Sequence, residues 1–292
     1  MTKILYGKPV AEAVKEGLKS RIADLNDKGL QPGLAVLLVG EDPASCVYVR
    51  NKSRACEELG IFSETIRLPR DTEQSRLNAK IDELNADPRF HGILVQMPLP
   101  KGLSEREVVR HILPEKDVDG FHPFNVGSMV QGIPTFLPCT PAGIMKMMEY
   151  YDIRPAGKHV VIVGRSNIVG KPMANLLCQK SPRANATVTL CHTATENLQA
   201  HTLQADILIA AAGMPGMIRE EMVREGVIVI DVGVNRIPDP TAKNGTRLCG
   251  DVDFDRVSCK AAAITPVPGG VGLMTIAMLM QNTVEAAENC LK

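Results

Sequence analysis

Short apolar runs separated by longer stretches of helical period constrain this chain most. "LAVLLVG" (34–40), "GILVQMPLP" (92–100), "VVIVG" (160–164), "DILIAAAG" (206–213) and "VIVIDVG" (227–233) show no polar alternation. Runs of that length and composition suit strands covered on both faces. Between them lie helix-like segments. "AEAVKEGLKSRIADLN" (11–26) puts Val14, Leu18, Ile22 and Leu25 on one stripe. "CVYVRNKSRACEELG" (46–60) reads as a helix stopped by Gly60, and "SRLNAKIDELNA" (75–86) as another. "FSETIRL" (62–68), "TVTLC" (187–191) and "AAITPVPGG" (262–270) read as further strands. Strands alternating with helices predict an α/β protein built of parallel βαβ units with right-handed crossovers.

The alternation breaks at 113–140, "LPEKDVDGFHPFNVGSMVQGIPTFLPCT", which is rich in Pro and Gly and has no clear period. Such a stretch inside a compact protein is usually functional or a linker. A new helix is expected from Thr140, a good N-cap, with Pro141 at the first helical position. The chain therefore divides into two α/β domains, 1–138 and 139–272, with the hinge region near 120–140. The second is a Rossmann-like parallel sheet, a substrate cleft is expected between the two, and the last helix (273–292) is expected to complete the first.

Composition narrows the function. The 292 residues carry 33 basic and 33 acidic side chains, for a formal net charge of zero, so no nucleic-acid partner is expected. The eight cysteines are scattered and none forms a C-x-x-C pair, which argues against a zinc site or a disulfide framework. Buried free thiols in a reducing compartment are expected. "MTKILYGKPV" turns polar too early for a signal peptide, and no apolar stretch reaches membrane-spanning length, so a cytoplasmic protein is expected.

"VVIVGRSNIVGKP" (160–172) begins as a nucleotide site and then departs from the usual G-x-G-x-x-G. Gly164 ends the strand, Arg165 and Ser166 follow directly, and Pro172 fits the first turn of a helix. A strand, a glycine turn and a helix N-terminus can bind an anion through backbone N–H groups and the helix dipole. An ordinary turn between strand and helix is the plain alternative. The next strand ends in "CHTAT", with His192 and Thr193 where NAD sites carry an acid for the ribose hydroxyl. A missing carboxylate and a loop arginine suit the 2′-phosphate of NADP, unless Arg165 is only a solvated charge.

Other candidates cluster nearer the N-terminus. Tyr48 and Lys52 in "YVRNK" are four apart and share a helix face. A lysine of lowered pKa can move protons near neutral pH, though such a pair is often a surface contact. Gln96 and Pro98 lie just past a strand, where open parallel sheets bind ligands. Asp117 and Asp119 fall in the irregular segment. No His or Cys cluster supports a metal there, so no metal site is expected. Asp119 is expected to hydrogen-bond substrate, with Asp117 bracing the loop. Gly269 and Gly270 in "TPVPGGVG" (265–272) would let the backbone approach a ligand, or simply form a tight turn.

Taken together, "DPASCVYVRNK" (42–52), "GILVQMPLP", "KDVDGFHPFNVG" (116–127), "CTPAGI" (139–144), "GRSNIVGKP" (164–172), "DVGVNR" (231–236) and "TPVPGGVG" resemble the bifunctional methylenetetrahydrofolate dehydrogenase/methenyltetrahydrofolate cyclohydrolase family over nearly the whole chain. Departures are Leu273, where that family usually has proline, and "QMPLP" for "QLPLP". The resemblance implies oxidation of 5,10-methylenetetrahydrofolate by NADP⁺, then hydrolysis of the methenyl product to 10-formyltetrahydrofolate. It implies that Tyr48 packs on the folate rings, Lys52 moves the protons of hydrolysis, Gln96 orients Lys52 and Asp119 grips the pterin. It implies that Gly164, Arg165 and Ser166 hold cofactor phosphates, with backbone contact from Val234 near the nicotinamide; Thr193, at the end of the next strand, is a further cofactor-binding candidate. A homodimer formed through the cofactor domain is implied as well. A dehydrogenase without the hydrolytic step, or a non-catalytic nucleotide-binding module, are the alternatives.

Overall fold

The structure, a computed structural model, describes residues 2–133, 135–242 and 245–292. The chain runs β1 (Lys3–Ile4), α1 (Gly7–Asp27), β2 (Gly33–Val39), α2 (Pro43–Leu59), β3 (Phe62–Leu68), α3 (Gln74–Ala86), β4 (Gly92–Val95), α4 (Glu105–His111) and α5 (Pro123–Gln131). It continues through α6 (Cys139–Tyr150), β5 (His159–Val163), α7 (Gly170–Cys178), β6 (Thr187–Cys191), α8 (Leu198–Thr202), β7 (Ile207–Ala210) and β8 (Ile228–Asp231). It ends with β9 (Asn235–Pro238), β10 (Thr246–Cys249), α9 (Phe254–Val257), β11 (Ala263–Ile264) and α10 (Gly272–Asn289).

Contacts separate two units. One comprises Glu12–Cys139 and Ile276–Lys292, the other Thr140–Thr275 with the segment ending at Ala11. The placement of residues up to Ala11 corrects the sequence expectation, which put them with the first domain. The physical reason is strand pairing: β1 lies parallel to β11, with Lys3 opposite Ala263 and Ile4 opposite Ile264.

In the first unit β2 is the central strand of the parallel order β3-β2-β4. All seven of its residues are buried, as a strand covered on both faces requires. A single parallel bridge joins Ile93 to Asp117, so the segment after α4 enters alongside β4. Leu37, Leu77, Ile81, Phe90, Ile93 and Val108 share its core with β2 and β4.

In the second unit six parallel strands run β1-β11-β8-β7-β5-β6. The chain moves outward from β5 to β6 and returns on the other side as β7. That reversal is a topological switch point, where ligands sit beyond the carboxyl ends of the strands.

Several elements differ from the sequence reading. The irregular segment holds α5, with Pro123 at its start and Gly132 closing it in the left-handed region (φ 72°). Helix α6 starts at Cys139 rather than after Thr140, and α7 at Gly170, two residues before Pro172. Strands β9 and β10 form an antiparallel pair that polar residues concealed. Of the eight free cysteines only Cys56, Cys139 and Cys191 are buried; Cys178, Cys259 and Cys290 are exposed.

Candidate active site

Helix α2 carries the central group. Asp42 caps it by accepting the Ser45 N–H at 2.8 Å, Pro43 opens it, and Gly60 ends it at φ 74°. Its buried stripe is Ser45, Val49, Lys52, Cys56 and Leu59. Lys52 thus occupies an inward position where helical spacing calls for an apolar side chain. It is 9% exposed, whereas Tyr48, one turn earlier, is 45% exposed.

A buried ammonium needs partners. Lys52 Nζ donates to Gln96 Oε1 at 2.9 Å, and Gln96 Nε2 donates to the Met97 carbonyl at 2.7 Å. Gln96 follows directly on β4, and its own N–H is held by the Leu37 carbonyl at 2.9 Å. The glutamine therefore has one orientation, oxygen toward the lysine. Pro98, joined to Met97 by a cis peptide bond, is exposed beyond it.

Asp119 completes the arrangement. Burial lowers the pKa of Lys52, and the Asp119 carboxylate pulls it back up. Burial raises the pKa of Asp119, and Lys52 opposes it. Such opposed shifts leave a lysine and a carboxylate able to exchange roles as proton donor and acceptor. Cys139 lies 3.8 Å from Asp119 Oδ1 and donates to the Val118 carbonyl at 3.4 Å. Burial raises the pKa of this thiol well above its usual value, so it stays protonated and is no nucleophile. Asn282 of α10, also buried, donates to the carbonyls of Val118 at 2.8 Å and Leu137 at 3.1 Å. Both acceptors are carbonyls, so the amide nitrogen faces them. Sequence reasoning missed Cys139 and Asn282 as members of this cluster.

Asp117 is buried and ties the loop together. Its Oδ2 accepts from the His122 N–H at 2.7 Å and from Asn125 Nδ2 at 2.8 Å. Burial pushes its pKa up to about 6. An unfolded aspartate titrates near ~3.9. Between those values the native state binds more protons than the unfolded state, so stability falls as pH rises through the window. Urea unfolding of wild type and Asp117→Asn from pH 4 to 7.5 is expected to show wild type losing up to about 3 kcal/mol relative to the variant. Parallel curves would show that this carboxyl does not titrate differently in the folded state.

The second unit holds the other candidates. Gly164 leaves β5 at φ 121°, and any side-chain carbon there would strike the Ala211 carbonyl. A carbon on Gly170 would strike the Gly164 carbonyl. Two glycines six apart thus do the close packing of turn on strand and helix on turn, in a spacing other than G-x-G-x-x-G. The N–H groups of α7 are largely engaged. Ser166 Oγ accepts from Val169 at 3.1 Å and Gly170 at 3.4 Å, and the Ser166 carbonyl from Lys171 at 3.1 Å. The sequence expectation that this helix end supplies free donors is therefore corrected, because Ser166 already caps it. Arg165, Ser166, Thr193 and Val234 are exposed. Gly269 and Gly270 form the turn after β11 in this same unit, where the Gly269 carbonyl accepts from the Gly7 N–H at 2.8 Å. Lys52, Gln96, Asp119, Tyr48 and Pro98 all belong to the other unit. Leu273 is exposed in the first turn of α10.

A cradle with no room for a side chain, an adjacent exposed arginine and a site at a switch point fit a phosphate-bearing dinucleotide. Among the described residues no group of three or more His, Cys, Asp or Glu side chains could hold a metal ion. One unit of dinucleotide-binding type and one with a buried lysine–carboxylate site define a nucleotide-dependent enzyme of two α/β units. The catalytic-domain model of the tetrahydrofolate dehydrogenase/cyclohydrolase family matches residues 5–119, and its NAD(P)-binding-domain model matches residues 138–291. The chain belongs to that family. It is 57% identical over 286 residues to the Bifunctional protein FolD of Prosthecochloris aestuarii, covering 97% of both chains. The crystal structure of the bifunctional FolD enzyme from Campylobacter jejuni is similar at TM-score 0.94 and 49% identity, over 99% of this chain and 100% of that one. The Trypanosoma brucei dehydrogenase-cyclohydrolase, complexed with NADP cofactor and inhibitor, gives TM-score 0.94 at 36% identity, over 100% and 99%.

Proposed function

We infer that this chain oxidises 5,10-methylenetetrahydrofolate to the methenyl cation with NADP⁺ and hydrolyses that cation to 10-formyltetrahydrofolate. The observation that carries the reading is Lys52, buried on the inward stripe of α2 and held by Gln96 beside Asp119. An amine is costly to bury on an inward stripe, and its lowered pKa suits proton transfer.

When bound at the Gly164 turn, NADP⁺ supplies the hydride acceptor. Gly164 would leave room for the backbone to approach it, and Arg165 and Ser166 would hold its phosphates, with Thr193 and Val234 as further contacts. Arg165 is the cation suited to a 2′-phosphate.

For hydrolysis, water adds to the bridging carbon of the methenyl cation. Lys52 takes the proton that water releases, and Gln96 keeps the amine aimed. The bond from the bridging carbon to N5 then breaks, N5 takes a proton, and the formyl group remains on N10. The net release is one proton. Asp119 holds the pterin and keeps Lys52 from losing its proton too readily. Tyr48, exposed one turn from Lys52, offers its ring to the folate, with Pro98 of the same unit beside it.

Absorbance during turnover of methylenetetrahydrofolate tests this. NADPH is expected to appear while methenyl absorbance fails to accumulate. Accumulating methenyl product would leave a dehydrogenase alone, and absence of NADPH a nucleotide-binding module. Pairing with a second copy through the cofactor unit and residence in the cytoplasm complete the proposal, and light scattering checks the pairing. Among the described residues no helix is long and apolar enough to cross a membrane.

A further inference from the structure

The loops at the switch point are held from beneath by a carboxylate to which the functional reading gives no task. Asp251 is 0% exposed. Its Oδ2 accepts from the N–H groups of Ala212 at 2.6 Å and Gly213 at 2.8 Å, and its Oδ1 from Asn235 Nδ2 at 2.8 Å. A second buried carboxylate fixes Asp251 in turn. Asp231 accepts from the backbone N–H groups of Asp251, Val252 and Gly233, each at 3.0 Å. Side-chain carbons have no room between these groups: one on Gly233 would strike the Asp251 carboxylate, and one on Gly250 that of Asp231.

Three segments are thereby tied to one another. They are the loop after β7, the loop after β8 where it enters β9 at Asn235, and the stretch at 250–252. The first of these borders the nucleotide turn, because the Ala211 carbonyl rests where Gly164 lacks a side chain. The second contains Val234, between Gly233 and Asn235.

We propose that Asp251 is a positioning residue for the dinucleotide, holding the loops after β7 and β8 in the shape that receives it. The proposal rests on the NADP-dependent reading above. It requires an acceptor-only group. A carboxylate offers two oxygens, and both are used, one by two backbone N–H groups and one by an amide NH₂. Asparagine has a single acceptor oxygen and would turn its own NH₂ against donors. One of the two loops must then come free, in a buried place where an unmet donor is costly.

NADPH titration by fluorescence and cofactor-free hydrolysis of added methenyltetrahydrofolate, measured side by side, test this. Asp251→Asn is expected to raise the Kd for NADPH by about tenfold or more, from the loss of hydrogen bonds to a charged group. Hydrolysis uses the lysine of the other unit and is expected to stay as in wild type, an outcome that general unfolding would not give. NADPH binding unchanged in Asp251→Asn overturns the proposal. Should Asp251→Asn lose hydrolysis as well, Asn235→Ala decides, since it removes one donor and leaves the carboxylate. Weakened NADPH binding with hydrolysis retained in Asn235→Ala then supports the proposal, and unchanged binding overturns it. A wild-type protein that bound no NADPH would instead sink the functional reading itself.

Discussion

Lys52→Met is expected to slow enzymatic hydrolysis of added methenyltetrahydrofolate by about 10²–10⁴-fold, the usual contribution of a general acid–base group. Methionine keeps much of the lysine's length and apolar bulk, so the inward stripe of α2 stays filled. What disappears is the amine that Gln96 holds at 2.9 Å. Hydride transfer needs the folate oriented but no proton from this lysine, so NADPH formation is expected to survive at a measurable rate. The variant should therefore release methenyl product that wild type consumes. The pH profile supplies a second readout. Burial lowers the Lys52 pKa, so the wild-type hydrolytic rate, corrected for spontaneous reaction, should rise through an ionisation below the ordinary lysine value. That ionisation should be absent from the variant. Unchanged hydrolysis would make Lys52 a buried structural charge. Loss of hydride transfer with hydrolysis intact would reverse its role.

The next largest effect concerns cofactor choice. Arg165→Ala is expected to weaken NADP binding by about 1.5–3 kcal/mol, the range for hydrogen bonds to charged groups, or roughly 10–150-fold in Kd. NAD binding should change little. The structure sharpens the reason. Ser166 already satisfies the amides of Val169, Gly170 and Lys171, so the end of α7 has few donors left for a phosphate. Arg165, exposed at the turn, is the cation placed to meet that charge. Strand β6, paired with β5, is followed directly by His192 and Thr193, and "CHTAT" contains no carboxylate to repel a 2′-phosphate. Fluorescence titration of the variant with NADPH and NADH checks the prediction. Equal losses for both would show that the arginine shapes the loop rather than choosing the cofactor.

The candidate site residues divide by how far along the chain their partners lie. Lys52 was visible because a lysine and a tyrosine four apart in a helix are a local pattern. Its sharper mark, a charge on the stripe Ser45-Val49-Lys52-Cys56-Leu59, is also legible once the inward face is known. Cys139 looked like an ordinary buried thiol, and nothing beside it in sequence announces Asp119. Asn282 reaches the Val118 carbonyl across 164 residues, and Asp251 reaches Ala212 across 39. An asparagine in a helix and an aspartate before a turn carry no periodic signal of such tasks.

The fold divides in the same way. Strands β2, β5, β7 and β8 could be read from sequence because burial on both faces demands unbroken apolar runs. Gly60 as a helix stop and Gly164 as the end of a strand were readable too, since both positions need positive φ. Helix α5 escaped because nine residues containing Pro123 and Gly127 show too little periodicity. Strands β9 and β10, with "NRIP" and "TRLC", escaped because half-buried strands need not be apolar. Two-residue β1 has no pattern at all, yet its pairing with β11 assigns the N-terminal segment to the cofactor unit. Local composition thus determined where strands, helices and the glycine turn would form, because backbone preference and two-sided burial act within a few residues. Tertiary structure alone decided which buried donors meet which acceptors, because a hydrogen bond between residues far apart in sequence is selected by the geometry of the packed chain.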